Sequence, residues 1–209
     1  MIDIADLLAT LSMDRPIFHS EADFQHTCAW ELHRRLPNAA IRLERPPSHG
    51  DKRIYLDIWL EQDDAAVAIE LKYKTGDLSI NVNDEQFALR KHAAHPPGRY
   101  DFIKDIERLE HVTSNQPHAV GWAIFLTNDS TYWSLESDNE RVGSNFDLWE
   151  GRVLHGTLQW NATASSGTRK GREAPLHLRG TYRLAWQPCS HLSTPRRGLF
   201  RYLAVQVRP

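Results

Sequence analysis

Apolar and polar residues alternate along two neighbouring stretches, Ile54 to Leu60 and Val67 to Tyr73, with Asp63 and Asp64 between them. A period of two with an acidic turn in the middle predicts a β-hairpin. In the second stretch Val67, Ile69, Leu71 and Tyr73 share one face, while Ala68, Glu70 and Lys72 share the other. In the first, Ile54, Leu56, Ile58 and Leu60 share a face and leave Asp57 opposite them. Helical periodicity governs residues 20–36, with Ser20 as N-cap, Asp23 completing a capping-box-like pair and Pro37 beyond the end. Tyr100 to Val112 predicts a second helix on Phe102, Ile106 and Leu109. Its Asp101, Asp105, Arg108 and Glu110 read as an ion-paired solvated face, with Arg108 in reach of a phosphate. A short helix is expected over Glu85 to Ala94, closed by Pro96, Pro97 and Gly98, and strands near 40–46 and over 118–129, with Pro46, Pro47 and Gly50 in the loop between the first of these and the hairpin.

After about residue 140 the pattern becomes β-rich. Residues 151–160, 174–186 and 198–207 read as strands, separated by the polar loop Asn161 to Glu173 and the turn-rich stretch Gln187 to Gly198. No repeat or linker intervenes, so a core over 1–140 and a basic β-rich extension over 141–209 are expected to form one compact unit.

With 209 residues and 41% hydrophobic content the chain is large enough for a full core with an appended subdomain. The N-terminus has no basic region before its short apolar patch, and no apolar run reaches the length of a membrane span. A cytoplasmic protein without a membrane partner is expected. Cys28 and Cys189 are too few for a disulfide framework or a four-cysteine zinc site, and His92, His95, His111 and His118 lack the residues to complete a zinc site.

The formal net charge of -2 conceals a partition. Residues 141–209 hold 11 Lys and Arg against 3 Asp and Glu, whereas residues 1–140 hold 14 against 24. An acidic segment joined to a basic one suits a protein that gathers cations in one part and holds a polyanion with another. Lys74, Arg169, Lys170, Arg172, Arg196 and Arg197 are the leading candidates for phosphate contacts. The plainer alternative is that these charges decorate solvated strands.

The hairpin carries the chemistry. The midpoint between Asp57 and Glu70 falls in the turn, so a symmetric hairpin sets the two acids opposite each other, about 5 Å apart at their bases. Carboxylates that close repel, and a divalent cation relieves the repulsion; oxygen ligands favour Mg²⁺, with Mn²⁺ as a substitute. On the first helix Phe24, Cys28, Ala29, Leu32 and Leu36 form an apolar arc, and Glu21 and Gln25 project from its middle. Glu21 therefore points inward, either as a helix cap or as a third acid.

Glu21, Asp57 and Glu70-Leu71-Lys72, on a helix, a strand and a following strand, resemble the restriction-endonuclease-like, or PD-(D/E)xK, nuclease superfamily. The resemblance covers roughly residues 18–130. Leu56 stands where the motif's name has proline, and Arg90 rather than tyrosine follows four residues after Gln86, so the Q-x-x-x-Y element of some exonuclease branches is not matched. The resemblance implies an α/β fold with a restriction-endonuclease-like core of helix, hairpin in a mixed sheet, helix and strand. It also implies a Mg²⁺-dependent nuclease acting on DNA in restriction, defence or repair. Asp57 and Glu70 would bind metal, with the Leu71 carbonyl as a further ligand, and Glu21 would hold metal or its waters. Lys72 would orient the attacking water or steady developing charge, and Gln25 would bond a metal water or the scissile strand. A homodimer is left open. The alternative from another class is a non-catalytic nucleic-acid-binding or assembly protein that retains the fold.

Overall fold

The structure, a computed structural model, describes residues 2–46, 55–92, 94–135, 142–194 and 196–209. Ile54, Pro47 and Gly50 therefore lie outside the described residues. The first element is a helix that alternation did not anticipate, α1 (Ile4–Asp14), capped by Asp3, whose carboxylate accepts the Asp6 N–H at 3.0 Å. Ile4, Leu7, Leu8 and Leu11 make its buried stripe. The second, α2 (Glu21–Arg35), is the helix expected over 20–36, and Ser20 caps it by accepting the Asp23 N–H at 3.1 Å. The Asp23 carboxylate does not return to Ser20; it takes the His19 N–H and pairs with Arg15.

Six strands form one mixed sheet: β1 (Ala40–Arg45), β2 (Leu56–Gln62), β3 (Ala65–Lys74), β6 (Ala119–Thr127), β10 (Leu199–Val207) and β9 (Trp186–His191), in that spatial order. Only the β3–β6 pair is parallel. The chain crosses between these two through α3 (His95–Asn115). Alternation along β3 sorts its side chains. Ile69, Leu71 and Tyr73 pack with α1 and α2, whereas Ala66 and Ala68 pack with Phe102, Ile103, Ile106 and Leu109 of α3. Glu70 and Lys72 follow Ala68 in phase and so turn toward α3.

Of the segment expected as a helix over 85–94, residues 85–89 form a strand instead. β4 (Leu78–Val82) and β5 (Glu85–Leu89) form a separate hairpin whose two turn residues, Asn83 and Asp84, have φ of 50° and 65°. Positive φ at both positions is what a tight hairpin turn requires, and Asn and Asp tolerate it. Phe87 and Leu89 bury on one side at a period of two, which outweighs the helix propensity of the neighbouring residues. Pro96 and Pro97 accordingly close nothing; they occupy the first turn of α3, where a missing N–H costs no hydrogen bond.

A third sheet, β7 (Val153–Leu158) with β8 (Leu176–Arg183), lies on α3. Glu110 anchors it. Its carboxylate accepts the Arg179 and Gly180 N–H groups at 2.9 and 2.7 Å and the Tyr182 hydroxyl at 2.7 Å. Glu110 is 4% exposed, so the solvated role expected for it does not hold. Glu110→Ala should cost about 3 kcal/mol or more, because three donors lose a buried acceptor. Chemical denaturation checks this, and a loss below about 1 kcal/mol would contradict the anchoring role. The turn-rich stretch after Gln187 begins as part of β9, an edge strand, where Pro188 is tolerated. Trp160 and Trp186 are core residues. Both cysteines are free thiols, and no helix among the described residues is long and apolar enough to cross a membrane.

Candidate functional site

The β2–β3 hairpin pairs from Gln62↔Ala65 to Ile58↔Ile69. One step further the register would set Asp57 against Glu70, and there the ladder opens. The Asp57 side chain takes over, with Oδ2 accepting the Leu71 N–H at 2.6 Å. The next N–H along the same edge of β3, that of Tyr73, goes to Glu21 Oε2 at 2.7 Å, which also meets Lys74 Nζ at 3.4 Å. Two carboxylates from two elements thus replace the acceptors that β2 no longer supplies, and both acids are held at the opening.

Gln25 explains why the opening is rigid. It is buried, and its amide donates to the Asp57 carbonyl at 2.7 Å and to Glu44 Oε1 at 2.8 Å, tying α2 to β2 and β1. Both donors of its amide are thereby committed within the protein and position Asp57, while Oε1, the atom left for the expected metal water or scissile strand, accepts no hydrogen bond among the described residues.

Glu70 and Lys72 meet α3 in a network that periodicity assigned to solvent. Lys72 Nζ lies 2.5 Å from Asp105 Oδ2 and 3.1 Å from the Leu71 carbonyl. Arg108 Nη1 donates to Glu70 Oε1 at 2.6 Å, and its other terminal nitrogen is 3.2 Å from Asp105 Oδ1. Asp105 is 3% exposed and Glu70 2%. The solvated face expected for Asp105 is therefore overturned, and Arg108 is held by carboxylates. The missed signal lay in β3: a buried acid and amine on a packed strand face need counter-charges, and α3 is the helix laid across that face.

Three acids, Asp57, Glu70 and Asp105, thus face two cations, Lys72 and Arg108, leaving negative charge in excess. Burial pushes the Asp57 carboxyl up to about 6, against the pull of Lys72 and of the Leu71 N–H, with Asp105 and Glu21 adding to the rise. Burial also holds Glu70 well above the usual carboxylate range, and Asp105 and Asp57 reinforce it despite Arg108. For Lys72, burial works the other way, but Asp105, Asp57 and Glu70 outweigh it and hold the amine above its ordinary value. It stays an ammonium.

No group of three or more His, Cys, Asp and Glu among the described residues is arranged to hold a metal ion. Asp57 Oδ1 and Glu70 Oε2 nevertheless accept no hydrogen bond among the described residues. Two hard oxygens beside uncompensated negative charge fit Mg²⁺, which commonly binds through one or two carboxylates and keeps several waters. Glu21 Oε2 is engaged by Tyr73 and Lys74, while its Oε1 accepts no hydrogen bond among the described residues, so Glu21 could meet such an ion or its waters through that oxygen.

The remaining candidates are spread over the surface. Arg172 is clamped by Asp101 with two contacts of 2.6 Å, and Arg197 lies between Asp77 and Asp129 at 3.6 and 3.3 Å. Arg169 is half-buried in the short helix Ser166–Arg169, and Lys170 and Arg196 are exposed. None of these five is hydrogen-bonded to the acidic cluster. A scan against protein-family models, a search of curated proteins and a search of solved structures each gave no match.

Proposed function

We propose that the chain is a Mg²⁺-dependent nuclease of the restriction-endonuclease-like superfamily, hydrolysing phosphodiester bonds in DNA in the cytoplasm. The observation that carries this reading is the opening of the β2–β3 ladder at Asp57. There Asp57, Glu70 and Lys72 gather from two strands, and Glu21 reaches the same edge from α2. A hairpin built only for stability would continue its backbone pairing.

Asp57 and Glu70 would hold the ion, with the Leu71 carbonyl beside them. The bound ion supplies charge neutralisation at the phosphate and a more acidic water. Lys72, fixed as an ammonium by Asp105, donates toward the attacking water or the developing negative charge; it is not a general base. Arg108 offsets part of the burial that favours a protonated Glu70, and a bound cation would add to that pull toward the carboxylate. Because Asp57 protonates near pH 6, protons compete with the metal below that value, and cleavage at limiting Mg²⁺ should fall as pH drops through about 6.

Incubation of the purified protein with supercoiled, linear and single-stranded DNA in Mg²⁺ tests the proposal. Metal-dependent cleavage is expected, with Ca²⁺ supporting binding without turnover. Absence of cleavage on all three substrates with Mg²⁺ and Mn²⁺ would refute it. The closed pairs Lys72–Asp105 and Arg108–Glu70 favour one rival, a nucleic-acid-binding or assembly protein in which the charges only lock α3 to β3. That rival expects DNA binding indifferent to divalent cations.

A further inference from the structure

Many of the cations concentrated after residue 140 are engaged within the fold: Arg172 by Asp101, Arg197 by Asp77 and Asp129, Arg201 by Glu150 and Arg179 by Glu110. Arg90, Lys91 and Arg196 differ. They are exposed, and among the described residues none of them forms an ion pair.

Although far apart in sequence, these three cations are tied to adjacent residues at the exit of β3. Thr75 holds the segment 90–92 through three bonds: its carbonyl accepts the His92 N–H at 2.8 Å, its N–H donates to His92 Nδ1 at 3.0 Å, and its hydroxyl donates to the Arg90 carbonyl at 2.8 Å. Gly76 holds the turn containing Arg196 and Arg197 from the other side. Its N–H donates to Asn128 Oδ1 at 2.8 Å, and Asn128 Nδ2 donates to the Arg197 carbonyl at 2.9 Å. A Cβ on Gly76 would stand 1.4 Å from Arg197 Nη1, so a side chain there would displace the Arg197 guanidinium.

Between the Thr75 anchor and the start of α2 lies a cleft of about 290 Å³, lined by His19, Glu21, Lys74, Thr75, Arg90 and His92. Glu21 and Lys74 join it to the acidic opening at Asp57. Since His92 Nδ1 accepts a backbone N–H, the neutral ring carries its proton on Nε2 and keeps a donor free. Arg90 stands on the edge of this cleft, and Lys91 and Arg196 are carried by the two segments tethered at Thr75 and Gly76. Unpaired cations on tethered backbone thus gather as a rim at the exit of β3 beside the candidate metal site, an arrangement that meets a polyanion at little cost in ordering.

We propose that the phosphodiester backbone of the nucleic acid crosses this rim, with Arg90, Lys91 and Arg196 neutralising phosphates beside the one at Asp57 and Glu70. The identity of the ligand rests on the nuclease reading. Docking is thereby assigned chiefly to the exit of β3 and not to the Arg169–Arg172 loop.

The test is binding of a labelled DNA duplex, and of the same strand alone, in Ca²⁺ over a range of salt concentrations. The triple variant Arg90→Ala, Lys91→Ala, Arg196→Ala should bind at least about 10-fold more weakly, with the slope of log affinity against log salt reduced by two to three units, roughly one per lost phosphate contact. Its melting temperature should match the wild type, because the side chains removed are exposed and unpaired. A wild type that binds DNA, with an unaltered slope in the triple variant, would overturn the docking proposal alone. A slope reduced instead by Arg169→Ala with Lys170→Ala would do the same and move docking to that loop. A wild type that binds neither form of DNA would overturn the nuclease reading as well.

Discussion

Asp57→Asn should make the protein more stable while abolishing cleavage. A carboxyl raised from about 4 to about 6 costs the native state stability wherever it is ionised. Between those values the folded protein binds more protons than the unfolded chain, so the cost grows as pH rises and is complete above about 6. It is absent below about 4. Asparagine removes it and can still accept the Leu71 N–H through its amide oxygen. At about pH 7.5 the gain should be roughly 2 to 3 kcal/mol, shrinking toward zero near pH 4. Urea denaturation at several pH values reads this directly. Mg²⁺ should raise the wild-type melting temperature and leave the variant unmoved, since a ligand stabilises only what it binds. A variant less stable than wild type at every pH would show that Asp57 is a satisfied structural acid and not a site under electrostatic strain.

Lys72→Ala should have the opposite effect on stability and the same effect on cleavage. Removing the ammonium leaves Asp105 buried without its nearest cation, which typically costs about 3 to 5 kcal/mol. Adding Asp105→Asn should recover most of that loss, because the orphaned charge goes with it. Activity separates the two roles open to Lys72. If it acts in the chemical step, the double variant is stable, binds DNA and remains inactive; if it only locks α3 to β3, the double variant cleaves. Single-turnover cleavage at saturating substrate distinguishes these outcomes, and a cleaving double variant removes Lys72 from the mechanism.

The site was half legible in the sequence, and physical reasons separate the halves. Strand alternation is rigid over short distances, so the hairpin register as far as Ile58↔Ile69 and the shared face of Glu70 and Lys72 followed from spacing, as the helical period did for Glu21 facing β3. Leu56, expected beside Ile58 and Leu60, packs with α3 instead, where the ladder opens. Asp105 and Arg108 did not follow from spacing, because helical periodicity distinguishes the apolar stripe from the rest but not buried polar residues from solvated ones. They became recognisable only once α3 lay across β3. Gln25 lies on the expected face, but its bonds to Glu44 and the Asp57 carbonyl were not legible, since Glu44 stands on a strand whose distance from α2 no local pattern encodes. In the fold, the β4–β5 hairpin was read as helix because Glu, Gln, Ala and Leu favour helices, and burial of Phe87 and Leu89 decided otherwise. Helix α1 carries a legible signature, the stripe of Ile4, Leu7, Leu8 and Leu11 behind the Asp3 cap.

The order of the sheet also has a consequence during protein synthesis. β10, made after the other five strands, lies inside the sheet, pairing with β6 on one side and β9 on the other. Until residues 199–207 leave the ribosome, β6 has an open edge, and Leu203 and Val205 are missing from the core that seats α3. Asp105 and Arg108 ride on that helix, so Lys72 and Glu70 gain their counter-charges only when α3 is seated. A growing chain can close the β2–β3 hairpin early, yet its charged centre is assembled only once residues 199–207 have emerged and seated α3.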